Sequence, residues 1–66
     1  MREHKVLSGL RKIGPANLDA LVVVVYDDVD PALHEWAKLS MLAHLIKLQN
    51  EGSALVQQDV WNAIDS

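Results

Sequence analysis

No cysteine occurs among the 66 residues, which excludes a disulfide framework, a thiolate metal site and a cysteine nucleophile. Long apolar runs are missing too. None approaches the roughly 18 residues that a membrane span needs, and nothing resembles a signal peptide. The expectation is a soluble, cytoplasmic protein with no membrane partner. Basic residues are scarce: six Lys and Arg stand against nine Asp and Glu, for a formal net charge of −3. That balance argues against a dedicated nucleic-acid binder, which usually shows a basic face. Internal repeats, low-complexity tracts and linkers are absent. What the chain has in quantity is apolar side chains, half of all residues. A domain this small buries only about 60% of its unfolded surface. With no disulfide or metal staple, stability must come from packing, including packing against another chain or domain.

Residues 20–30, ALVVVVYDDVD, admit two readings. A valine run ending in carboxylates resembles a buried parallel strand with chemistry at its C-terminal end. Length counts against this, because each crossover unit takes about 30 residues. On a helix of about 100° per residue, Leu18, Leu21, Val22, Val25 and Tyr26 share one continuous arc. Ala20, Val23 and Val24 fall outside it, with Asp19 at its border. The arc predicts a helix over 18–26 with two valines pointing outward, although local propensity alone favours a strand.

The remaining elements follow from periodicity and punctuation. Val6, Leu7, Leu10 and Ile13 give residues 2–13 one apolar helical face. Gly14-Pro15 breaks this helix and Asn17 caps the next. Asp27-Asp28-Val29 forms a turn, after which Asp30-Pro31 pairs a capping residue with proline at the first helical position. A long helix is expected over 31–51, stopped by Gly52, and a hairpin over about 53–64. Helix, turn, helix, longer helix, hairpin is the order of a winged helix-turn-helix. The expected fold is mainly α with a small β-hairpin, in one domain spanning 1–66.

At this point the chain resembles a known family. GPANLDALVVVVYDDVDPALHEWAKLSMLAHLIKLQNEG looks like the C-terminal winged-helix domain of metallo-β-lactamase-fold hydrolases, the beta-lactamase-like protein 2 group. The shared marks are Gly14-Pro15, Leu18, Leu21-Val22, Val25-Tyr26, Ala37, Leu42, Ala43-His44-Leu45, Leu48 and Glu51-Gly52. The resemblance covers roughly residues 2–64 and implies that the valine run is the second helix. It also implies a parent that is a zinc-dependent hydrolase. The zinc ligands of that family belong to an HxHxDH motif, and no such motif occurs here. No cofactor is therefore expected in this chain, and zinc is expected only in a catalytic domain outside it. Two departures set the chain apart: Val23 and Val24 stand where the family carries polar residues, and the hairpin has no basic residue.

Asp27, Asp28 and Asp30 offer hard oxygen ligands to a divalent cation, but without EF-hand spacing they read as turn and capping residues. His34 and His44 lie ten positions apart, about 80° around the helix and 15 Å along it, too far to share a metal. No serine has a base at a recognisable spacing, so catalysis by this chain alone is not expected. The long helix carries Trp36, Leu39, Leu42, Ala43 and Ile46 on one side and Leu33, Ala37, Met41, Leu45 and Leu48 on another. A helix apolar nearly all round is buried on more than one side. The expected function is an accessory domain that docks on a catalytic domain or on a second copy. Its candidate interface residues are Val23, Val24, Trp36, Met41, Leu45 and Trp61. The alternative is a small nucleic-acid-binding regulator using Arg2, Lys5, Arg11 and Lys12 of the first helix with Lys38 and Lys47. Against it, the N-terminal end of the long helix is acidic, the wrong sign for phosphates.

Overall fold

A computed structural model describes residues 2–64. Helix α1 spans Arg2–Ile13, α2 Leu18–Val25 and α3 His34–Asn50; strands β1, Ala54–Gln57, and β2, Val60–Ala63, follow. This is the winged helix-turn-helix that the sequence predicts. A 3-10 turn over Pro31–Leu33 leads into α3, so the first turn of the expected long helix is wound more tightly than the rest.

Local chemistry sets the helix ends. Asn17 Oδ1 accepts from the Ala20 N–H at 2.9 Å and starts α2. Asp30 Oδ1 accepts from the Ala32 N–H at 2.9 Å, with Pro31 needing no partner of its own. At the end of α3 the Ser53 N–H donates to Leu48 O at 2.8 Å and the Gly52 N–H to Gln49 O at 3.1 Å. With Gly52 at φ +80°, these two bonds make a Schellman stop that aims the chain into the hairpin. A Cβ at Gly52 would touch nothing within 4 Å, so Gly52→Ala isolates the backbone conformation. We expect a net loss of about 1 kcal/mol, the left-handed penalty less the gain from a stiffer unfolded chain. It is read as a lower urea midpoint at unchanged slope.

The core sits where the three helices meet the inner face of the hairpin. Val6 and Leu10 of α1, Leu21 and Val25 of α2, and Met41 and Leu45 of α3 are wholly buried. Each such side chain contributes roughly 1.5–3 kcal/mol relative to exposure. Gly9 lets α1 and α2 come close: a Cβ there would lie 3.1 Å from Val25 Cγ2 and 3.4 Å from Val24 Cγ1. The strands pair antiparallel, with Ala54 opposite Ala63 and Val56 opposite Trp61 on the inward face. Gln58 and Asp59 both take positive φ, 51° and 65°, as a two-residue hairpin turn of primed type requires. Trp61 and Ala16 then exchange backbone hydrogen bonds of 2.8 and 3.0 Å. This bridge ties the wing to the loop between α1 and α2.

Candidate docking surface

Helix α3 is apolar on two opposite sides, and only one of them is used by the fold. Ala37, Met41, Leu45 and Leu48 face inward. About half a turn away, Trp36 is 78% exposed, Leu39 72% and Ile46 46%. With the exposed Ala43 between them, these side chains form a ridge about 15 Å long. Leu33, 52% exposed, precedes α3 in the 3-10 turn.

An open groove of about 800 Å³ runs between this side of α3 and the wing. Leu18, Leu42, Val56 and Trp61 supply its apolar lining, and Leu39 and Ile46 carry the ridge into it. Polar side chains also line it: Asn17, Asp19, Glu35, Lys38, Gln49 and Asp59. Lys38 Nζ donates to both Asp19 Oδ1 and Glu35 Oε1 (2.9 Å to the latter). The bond to Asp19, then that to Glu35, raises the Lys38 pKa above the ordinary lysine value.

Three of the expected interface residues need correction. Met41 and Leu45 are 0% exposed and Trp61 is 4% exposed. Met41 and Leu45 lie in the core and present no surface to a partner, and Trp61 is nearly as deeply buried, its small exposed remainder lying in the lining of the groove. Val24 also departs from the outward position expected of it. It is half-buried because the absence of a side chain at Gly9 brings α1 against it. Val23 does point outward, at 57% exposure, on the flank of α2 that carries Asp19 one turn earlier. Leu39 and Ile46, left out of the expected interface set, are the ridge residues that sequence reasoning missed. The signal was their membership of the same helical side as Trp36.

The candidate nucleic-acid contacts are mostly engaged with carboxylates. Arg2 Nη1 donates to Asp28 Oδ1 at 3.2 Å and to the Val25 carbonyl at 3.4 Å. Its guanidinium carbon lies 4.6 Å from the centroid of the Tyr26 ring. Lys5 Nζ donates to Asp27 Oδ1 at 2.7 Å, and Lys47 pairs with Glu3 at 3.1 Å. The Glu3 bond raises the Lys47 pKa above its ordinary value. Arg11 and Lys12 are exposed in the last turn of α1, where positive charge complements the helix dipole. The strands and their turn, 54–63, contain no Lys or Arg.

Asp27 and Asp28 thus join α1 to the end of α2. The Lys5 hydrogen bond lowers the pKa of Asp27, and the Arg2 hydrogen bond lowers that of Asp28, both from an ordinary 3.8. The folded chain therefore releases these protons more readily than the unfolded chain. The stabilisation is intact above about pH 5 and fades as pH falls through the ordinary carboxylate range toward the depressed folded values. Both pairs are largely exposed, so the effect is small and screened by salt. Melting temperatures between pH 2 and 6 should fall less steeply in an Asp27→Asn/Asp28→Asn variant than in the parent. An unchanged slope would show that the clip contributes nothing. Among the described residues no group of three or more His, Cys, Asp or Glu is arranged to hold a metal ion. No helix among them is long and apolar enough to cross a membrane.

Among the described residues, three helices, a helix-turn-helix with an acidic entry to its second helix, and a short wing without basic residues define a winged-helix domain. The chain belongs to the beta-lactamase associated winged helix domain family, whose model matches residues 18–61. That span runs from the first residue of α2 to Trp61 and includes most of the groove. No curated protein and no solved structure matches the chain.

Proposed function

We propose that this domain is a non-catalytic docking module that seats on a metallo-β-lactamase-fold hydrolase domain through the outer side of α3. The observation that carries this reading is the apolar ridge of Trp36, Leu39 and Ile46, which the chain's own elements leave uncovered. Exposed aromatic and aliphatic clusters of this kind are where binding energy concentrates at interfaces. The family's description as beta-lactamase associated supports a partner of that fold. In this reading zinc and its ligands belong to the partner, and the winged helix contributes shape at the substrate entrance. Nucleic-acid contact finds less support, because Arg2, Lys5, Lys38 and Lys47 already serve carboxylates.

The test mixes the purified chain with a metallo-β-lactamase-fold domain stripped of its own winged helix. A 1:1 complex in sedimentation, lost when Trp36 and Leu39 are replaced, supports the reading. Self-association through the ridge with no such complex would assign it to a second copy. Salt-sensitive oligonucleotide binding that competes with the complex would point to the regulator class instead.

A further inference from the structure

The groove beside the ridge is unbalanced in charge. Asp19, Glu35 and Asp59 line it, against Lys38 as the one cation among the described lining residues. The Lys38 ammonium is held between Asp19 and Glu35, so it neutralises part of the rim and is not free to receive an anion. Asp19 and Glu35 are themselves well exposed, at 78% and 84% of their side chains. Two carboxylates' worth of negative charge therefore faces outward around an apolar floor of Leu18, Leu42, Val56 and Trp61.

We propose that this groove receives an amphipathic basic segment of the partner domain. Apolar side chains of the segment enter between α3 and the wing, and its lysines or arginines meet Asp19, Glu35 and Asp59. The proposal rests on the docking reading and adds the chemistry of the partner's contact. Charge complementarity selects this occupant. A second copy carries the same acidic rim and a net charge of −3, so two copies meeting here oppose like charges. A nucleic acid brings phosphates to the same carboxylates. A helix or strand with apolar anchors between basic residues satisfies floor and rim together.

The test uses two short helical peptides, about three turns long, with the same leucine anchors. One carries lysines at the intervening positions and the other glutamates. Titrated into the whole chain, the lysine peptide should bind about tenfold more tightly at low salt, and its advantage should shrink within the Debye screening range. An Asp19→Asn/Glu35→Gln/Asp59→Asn variant should lose the preference. An Asp27→Asn/Asp28→Asn variant, altered away from the groove, should keep it. Equal binding of the two peptides, binding by neither, or a preference that survives the triple substitution overturns the proposal. The docking reading fails separately. If the triple variant still binds the hydrolase domain with unchanged affinity and salt dependence, and the ridge variant does not, only the basic-segment inference falls.

Discussion

Replacing Trp36 and Leu39 together by glutamate should abolish binding to the hydrolase domain and leave the fold intact. Both residues are more than two-thirds exposed, so their removal opens no cavity, and exposed substitutions usually change stability by no more than about 0.5 kcal/mol. Glutamate is a good helix former, and at position 36 it sits in the first turn of α3, where negative charge is favoured. The binding side of the balance is different. Truncating a buried aromatic anchor costs about 2 kcal/mol or more, and two charges would also have to be dehydrated against apolar surface. At about 1.4 kcal/mol per tenfold, the loss should exceed a hundredfold. The check is calorimetric titration beside a thermal melt. A variant that melts normally and binds normally would remove the ridge from the interface.

The opposite result is expected for Trp61→Ala: binding fails because the fold fails. Trp61 fills the space between the hairpin and the helices at 4% exposure, and its backbone makes both hydrogen bonds to Ala16. Deleting a buried tryptophan side chain costs about 3–5 kcal/mol. A single core in a domain under about 70 residues rarely supplies more than that. The variant should be largely unfolded at 25 °C, seen as lost helical circular dichroism. Trp61→Phe should recover a cooperative transition at a lower midpoint. If Trp61→Ala melts like the parent, the wing is not part of the cooperative unit.

The sequence made some of these features legible and hid others, for identifiable reasons. The valine run could be read as helix because Leu18, Leu21, Val22, Val25 and Tyr26 fall on one arc, and Leu21, Val22, Val25 and Tyr26 are the residues buried. The caps at Asn17 and Asp30 were visible because capping is local chemistry. The inner side of α3 could not be told from its outer side. Apolar residues on both sides cancel the amphipathic signal that distinguishes core from surface, so the sequence separates the side of Met41 and Leu45 from that of Trp36 but offers residues of both as interface candidates. The pairing of Lys38 with Asp19, and of Lys5 with Asp27, spans about twenty positions and leaves no local trace. The hairpin turn was obscure because Gln58-Asp59 takes a conformation that Asn-Gly usually marks.

The chain has only two tryptophans, and the fold puts them in opposite surroundings. Trp61 is sealed in the core, and Trp36 stands almost bare on the ridge. Their light emission therefore divides into a dry component and a wet one, each tied to a different event. A change in the dry indole alone registers opening of the wing. A change in the wet indole alone registers contact on the outer side of α3. The molecule carries separate built-in reporters of its folding and of its company.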